Sequence, residues 1–513
     1  MKSLLHTTIG LVFSFIILLI GAGCSDFLDQ KDPNRVLTDE YFSNENDVSR
    51  ALNGVYQSLR SGYLLGESNL DRTEERSDNM GRLDNQSASG DPFQFTNFTL
   101  LPSNPYLRNH WVAHQVAINR ANFVLQGLEE VDFSDPNLKE KYRSEALFLR
   151  ALVYFEAVRK WGDLPLVTRF LKSTDQVDER TSRVGKQEIY EQIVSDLKQS
   201  LEGPLSDFPS ISEQGKASKA AVSALLGKVY LTMYTDEDLE TTLADLQEAK
   251  KYLLLSWGMK PFDSLSQIAY SDVFRVDTQD GCGEIIFEIP YIQGDKDYHS
   301  SVARNNQPAG SHLLSLYKSK GDGRFVNPDL VKEYEPGDLR REWSVQDSPN
   351  VSTKTYFISK YRDASESAGS LGYGGNDWIL MRYADVALLL SEVEYYLGDS
   401  AQSIKYLDMV RQRAGLPSYE KSILTPGYRE LCPTLKSAIL HERRVELAFE
   451  CQRWYDLLRF FSHQELVDYM HAKSQDDYGI SDLNNFGLKD VLYPIPYDEV
   501  KIDPVRMYQN DGY

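Results

Sequence analysis

Four groups of residues have types and spacings that could do chemistry. The densest is ERRVELAFECQRWYDLLR, residues 442–459. Glu442, Glu446 and Glu450 recur every four residues, with Arg443, Arg453 and Arg459 in the same segment. Carboxylates beside guanidiniums could form an acid–base centre. They could equally form a lattice of bidentate pairs that fixes how helices pack. The lattice is the better reading, because no nucleophile or base accompanies the segment. His110 and His114 lie one helical turn apart and could offer two metal ligands. No third ligand stands near them in sequence, so they read as surface or core histidines. The segment TEERSDNMGR, residues 73–82, brings Arg76, Asp78, Asn79 and Arg82 close to Tyr63. Finally, the chain holds 31 Tyr, 22 Phe and 6 Trp. A tyrosine joins a flat apolar face to a polar tip and suits a half-wet binding surface.

The known catalytic strings are missing: the sequence holds no G-x-S-x-G, H-E-x-x-H, P-loop or dinucleotide fingerprint. Pairs of acids abound, but among 76 Asp and Glu no single pair is informative.

Positioning such groups requires a scaffold, and apolar periodicity supplies one. Thr38-Asp39-Glu40 reads as the opening of a first helix, carrying Val48, Leu52, Val55 and Leu59 inward. Further helices are expected over about 107–128, 138–161, 186–201 and 239–255. The third should stop at Gly162. Between the last two of these, Ala220, Ala224, Gly227 and Leu231 form a stripe of small residues that admits a close neighbour. Residues 381–416 read as helix, turn and helix, with Ser400 as the cap of the second; the layout approaches a tetratricopeptide unit. Two more helices fall near 433–449 and 451–461. The expected fold class is all-α: a tetratricopeptide-like helix-pair scaffold with long irregular loops and a few short β-hairpins. The irregular stretches are 61–106 and 257–378, the latter with the β-like run EIIFEIPY from Glu284 to Tyr291. Their aromatics include Tyr63, Tyr291, Tyr298, Trp343, Tyr361, Tyr373 and Trp378.

Composition narrows the class. The chain of 513 residues carries 55 Lys and Arg against 76 Asp and Glu, a net charge of −21. That balance argues against nucleic acid and mildly against polyanionic glycans, unless a local arginine cluster overrules it. Leu4 to Ile20 is a mostly apolar run that ends in Gly21-Ala22-Gly23, with Cys24 next. This is a secretory leader, and the Cys after small residues is similar to a bacterial lipobox, which would acylate Cys24. The expected division is a leader at 1–23 and one domain at 24–513. That domain has a helical part at about 24–260, an irregular middle at about 261–378 and a helical part at about 379–513. Cys282, Cys432 and Cys451 read as unpaired, although a disulfide from Cys282 stays open. Cys451 shares a stripe with Leu440, Leu447, Tyr455 and Leu458 and reads as a buried small hydrophobe.

Six blocks, in order, resemble the SusD/RagB family of outer-membrane lipoproteins of Bacteroidetes. They are CSDFLD from Cys24, EALFLRALVYFEAVRKWGDLPLV from Glu145, ASKAAVSALLGKVYL from Ala217, RYADVALLLSE with VRQRAGLP between Arg382 and Pro417, Glu442 to Arg459, and LYPIPYDEV followed by QNDGY. The chain departs from the family pattern at Cys451, where Gly is usual, and at Gln115, Asp408 and Asp511. The resemblance implies a surface-exposed, lipid-anchored protein of the outer membrane that is not an enzyme. It would capture an oligosaccharide and pass it to a SusC-like, TonB-dependent transporter. It also implies that the loop after the first helix and the irregular middle face ligand. The candidate ligand residues are therefore Arg76, Asp78 and Asn79, with Trp343, Tyr361, Tyr373 and Trp378 as stacking platforms. Some relatives bind Ca²⁺, but the acids here form no readable ligand loop, and no cofactor is expected. Two alternatives stand beside this reading: a peptide-capturing lipoprotein of the same family, and a secreted glycoside hydrolase on a helical scaffold.

Overall fold

The structure is a computed structural model that describes residues 41–81, 90–173, 176–178, 181–319, 324–347, 355–473 and 483–513. The expectations at Thr38, Cys24 and Arg82 lie outside those residues. As described, the first helix, α1, is Glu45–Leu59. Asn44 caps it, and Asp47 returns the bond in a capping box. Val48, Leu52, Val55 and Leu59 are its buried stripe, as periodicity requires.

Next come α2 (Pro105–Glu130), α3 (Pro136–Trp161), α4 (Lys186–Glu202), α5 (Lys219–Thr235) and α6 (Leu243–Gly258). Gly162, at φ 71°, ends α3 in the left-handed conformation glycine favours. Thr242 and Asp245 form a capping box that starts α6 a few residues later than its apolar pattern suggests. The C-terminal pair is α7 (Tyr383–Tyr396) and α8 (Ser400–Arg413). Asp399, not Ser400, caps α8, its carboxylate accepting from the Gln402 amide at 3.1 Å. Then follow α9 (Leu435–Glu446), α10 (Arg453–Phe460) and α11 (His463–His471). Among the described residues no helix is long and apolar enough to cross a membrane.

Successive helices pack on one another around a main apolar core, with smaller clusters beneath α10 and α11 and between Leu440 and Phe460. The small-residue stripe on α5 meets α6 directly. A β-carbon added at Gly227 would stand 2.5 Å from Leu253 Cγ and 3.0 Å from the Leu253 amide nitrogen. Gly227→Ala must push α6 away, which is expected to cost about 2 kcal/mol. Chemical denaturation checks this, and a loss below about 0.5 kcal/mol would contradict the close packing.

The strands are short, and most pair over long sequence distances, not as hairpins. One antiparallel sheet runs β1 (Met80–Gly81), β5 (Phe325–Val326), β7 (Tyr356–Ile358), β6 (Val345–Asp347). Another joins β2 (Leu164–Pro165) to β3 (Arg183–Val184). The third joins β4 (Ile285–Ile289) to β8 (Trp378–Arg382), with Ile289 opposite Trp378. Every residue of β4 is buried.

The segment 442–459 forms the charged lattice its spacing suggests. Arg382 bonds Glu284 at 2.8 Å, Glu446 at 2.6 Å and Glu450 at 2.7 Å. Arg340 bonds Asp338, Glu442 and Glu446, and Arg413 joins Glu284 to Glu446. Arg443 pairs with Asp385 and Asp456, and Arg459 with Glu392 and Asp456. These arginines are almost fully buried, and such charges persist only when paired. Phe449 and Cys451 flank Glu450 at φ 67° and 58°. Both lie in the left-handed region that favours glycine, so Cys451 holds a strained conformation there. Cys282, Cys432 and Cys451 are free, and Cys451 is buried as expected.

The tail closes the molecule. The Gln509 side chain accepts from the Ile495 amide at 2.6 Å and donates to the Ile495 carbonyl at 2.8 Å. Asn510 donates to the carbonyls of Trp161 and Tyr493.

Candidate functional site

Three of the sequence-chosen residues are interior. Arg76, Asp78 and Asn79 are each 0% exposed. The pairing of β1 with β5 draws this loop inward: the Asn327 amide donates to the Asn79 carbonyl at 2.9 Å. Asp78 accepts from Arg453 at 2.6 Å and from Tyr469 at 2.7 Å, with Arg444 and Lys473 each at 3.2 Å. Burial alone would raise its carboxyl, but these cations hold it well below the usual range. Asn79 donates to Glu74 at 2.7 Å and accepts from Arg444 at 2.9 Å. Arg76 lies against Tyr493 and Trp454, at 4.8 and 5.1 Å. Asp78 and Asn79 are thus held by the buried charged lattice, and Arg76 lies among aromatic rings and donates to the Asp490 carbonyl.

The aromatic candidates divide. Tyr361 and Trp378 pack on each other at 5.2 Å and are buried, because β8 is an interior strand. They serve the core, not a surface. Trp343 is half-buried beneath the Arg362 guanidinium at 4.1 Å. Tyr373 is half-buried and stacks on His299 at 4.2 Å. Tyr373 alone of the seven borders the surface described next.

That surface begins where β4 ends. Pro290 stops the ladder, and the chain leaves as a built turn. The Ile292 amide donates to the Tyr298 carbonyl at 2.8 Å, and Asp295 accepts from the amides of Asp297 and Tyr298. Gly294 donates to the Tyr373 carbonyl at 2.8 Å, and Ser300 pairs with Gly374. Glu67, from the loop after α1, clasps the far side, accepting from Ser300 Oγ at 2.6 Å and the Ser301 amide at 2.7 Å. Burial pushes the Glu67 carboxyl up, though each of these bonds lowers it. Asp363 ties the third loop in through Gln293 Nε2 and the Gly375 amide, both at 2.8 Å.

Between this turn, the last turn of α1 and residues 214–216 lies a groove of about 460 Å³. Tyr56 and Arg60 form one wall, Gln214 and Lys216 another, and Glu288 and Tyr298 the third. Gly215 is required where the second wall meets the third: its φ is 71°, and a β-carbon would stand 2.7 Å from Pro290 Cδ. Tyr298 is 41% exposed and Ile292 57%. Arg60 sits 4.9 Å from the Tyr291 ring and 4.7 Å from the Tyr298 ring, and Lys216 sits 4.1 Å from the Tyr56 ring. Tyr56 donates to Glu145 at 2.6 Å. Glu288 accepts from Gln214 at 2.8 Å, and burial followed by the nearby Asp377 pushes its carboxyl far up. The groove thus offers flat apolar faces beside amide, ammonium, guanidinium and carboxyl groups, a combination suited to a sugar.

Tyr291 and Tyr298 stand out in sequence only as loop aromatics. The signal that marks them is Pro290, which closes a mostly apolar strand and throws the next residues outward.

His110 and His114 are core histidines, and burial holds both well below the usual imidazole range. Among the described residues two clusters bring three ligand atoms together: Glu237, Asp238 and His463, and Glu335, His441 and Glu442. Cations of the chain already serve both. Lys186 bonds Asp238 at 2.8 Å, and Arg411 bonds Glu335 and Glu442 at 2.7 and 3.0 Å.

Comparison with known proteins agrees with this architecture. Residues 340–513 match the family model described as the SusD family. Residues 26–231 match a SusD-like model described as starch-binding and associating with the outer membrane. The chain is 26% identical to SusD-like protein P2 of Formosa agariphila, covering 98% of this chain and 99% of that one. It is similar in fold to a SusD superfamily protein of Parabacteroides distasonis, with a TM-score of 0.73 and 24% identity, covering 91% and 99% of the two chains. It is likewise similar to a protein named as a laminarin-binding SusD-like protein, with a TM-score of 0.71 and 24% identity over 92% and 100%.

Proposed function

The chain belongs to the SusD/RagB family, and from that premise we propose that it is a cell-surface lipoprotein that binds oligosaccharides and hands them to a SusC-like, TonB-dependent transporter in the outer membrane. The observation that carries the reading is the groove beside Tyr298. Rigid helices and the β4–β8 pair support it, and three loops are bonded to one another around it. A sugar ring packs its C–H face on tyrosine while amides and charged donors meet its hydroxyls, since an unpaired hydroxyl costs more than a formed bond returns.

The groove reads as a binder and not a catalyst. Glu288 is the only carboxylic acid among its lining residues, whereas glycoside hydrolysis needs two, one on each side of the scissile bond. The neighbouring relatives support glycans as the ligand class. The anchor would be acyl chains on Cys24, and more than one chain is needed for stable attachment.

Retention of glycans by the purified protein, with no products released, tests the reading; cleavage would overturn it. Tyr298→Ala is expected to weaken binding about fivefold, the loss of roughly 1 kcal/mol of aromatic contact, and to leave the melting temperature unchanged. Titration calorimetry checks the first and a thermal melt the second. Acyl labelling that persists in Cys24→Ala would refute the anchor, and a protein that never copurifies with a transporter would refute the handover.

A further inference from the structure

Many buried guanidiniums of this molecule are matched to carboxylates: Arg340, Arg382, Arg413, Arg443, Arg453 and Arg459 each bond one to three acids. Arg76 and Arg183 bond backbone carbonyls instead. The two half-buried cations of the groove resemble the second group. Among the described residues neither Arg60 nor Lys216 has an acidic partner within ion-pair reach. Lys216 donates instead to the neutral Asn53 side chain at 2.8 Å. Arg60 rests against the rings of Tyr291 and Tyr298. Aromatic faces hold the flat face of a guanidinium and leave most of its five N–H donors free. Those in-plane donors match the paired oxygens of a carboxylate or sulfate.

Glu288 lies in the groove wall, and burial, followed by the nearby Asp377, pushes its carboxyl up. Glu145 accepts from Tyr56 and acts on Lys216 only through space. Two cations without an ion-pair partner thus line a groove on a chain of net charge −21. Such a pair needs a reason, since the field of the whole molecule repels anions and only a local cluster can reverse it.

We infer that the groove selects saccharides bearing an oxyanion, a uronic carboxylate or a sulfate ester, with Arg60 and Lys216 as its two contacts. This rests on the glycan-binding reading above and names the class of glycan. The test compares retention of polygalacturonate, dextran sulfate and neutral laminarin, using the wild-type protein, Arg60→Met, Lys216→Met and Arg50→Met. Arg50 is an exposed control on α1 paired with Asp47. Binding to either polyanion should fall at least tenfold in each groove variant, remain in Arg50→Met and weaken steeply between 50 and about 300 mM salt. Whichever polyanion is retained separates carboxylate from sulfate. Retention of laminarin alone, insensitive to salt and to both groove substitutions, would overturn the inference and leave glycan binding standing. Retention of no glycan by a folded protein would overturn both. Matching melting temperatures for the variants ensure that a loss reports on the groove.

Discussion

Arg382→Met is expected to lower the unfolding free energy by about 3–5 kcal/mol, enough to unfold much of the protein at 37 °C. Arg382 is 1% exposed and joins acids from three parts of the chain: Glu284 before β4, Glu446 at the end of α9, and Glu450 in the strained turn. Methionine fills similar space but leaves those carboxylates short of one positive charge in a medium where water cannot replace it. Arg413 and Lys360 still reach some of them, so the loss is that of a broken buried network and not of every bond in it. Arg382→Lys should recover part of the loss, because it restores charge without the planar fork. Urea denaturation monitored by tryptophan fluorescence provides the measurement. A loss below 1 kcal/mol would mean that the lattice does not hold the scaffold.

The second large effect is on the alkaline side and comes from His441. Its Nδ1 lies 3.1 Å from Glu333 and its Nε2 3.7 Å from Glu335. Burial disfavours the imidazolium, but the bonds to Glu333 and Glu335 and the charge of Glu442 outweigh it and lift the group from 6.5 to about 9. A folded-state value above the unfolded one gives stability that is complete below pH 6.5 and lost as pH rises through 9. The interval corresponds to roughly 3 kcal/mol. Lys160 and Lys360 act the opposite way, since burial pushes both down to about 8 and stability from them grows with pH above that value. The contribution of His441 is therefore read as a difference. Wild type should exceed His441→Gln by most of that amount at pH 6, and the gap should close by pH 10. A gap that does not vary with pH would refute the charged histidine.

Much of the scaffold is legible in the residues. Val48 to Leu59, the small stripe on α5 and the repeat at 383–413 each show an apolar period that only a packed helix explains. The lattice at 442–459 is legible as a type of feature, but its partners are not: nothing in local spacing says that Glu446 meets Arg340, Arg382 and Arg413. The same blindness misplaces the candidate ligand residues. Arg76, Asp78 and Asn79 sit in a polar, charged loop that looks solvated. They are interior because β1 pairs with a strand some 245 residues away in sequence, to an order of magnitude that no periodicity reaches. Trp378 and Tyr361 fail as platforms for a related reason. A five-residue apolar run can be a strand, but its partner, and so which aromatics are covered, depends on long-range pairing. Tyr291 and Tyr298 escape burial because Pro290 ends the ladder just before them.

The stitching of Gln509 and Asn510 has a consequence for the order of assembly. The Trp161 carbonyl at the end of α3 meets its Asn510 donor 349 residues later. During N-to-C synthesis the seam at the end of α3 stays open until nearly every codon has been read. A nick or premature stop between Ile502 and Gln509 would leave the Ile495 backbone groups without the Gln509 amide, and the Trp161 and Tyr493 carbonyls without that of Asn510. The final few residues act as a latch, so chains cut short there should be singled out by proteases even though every helix is already present.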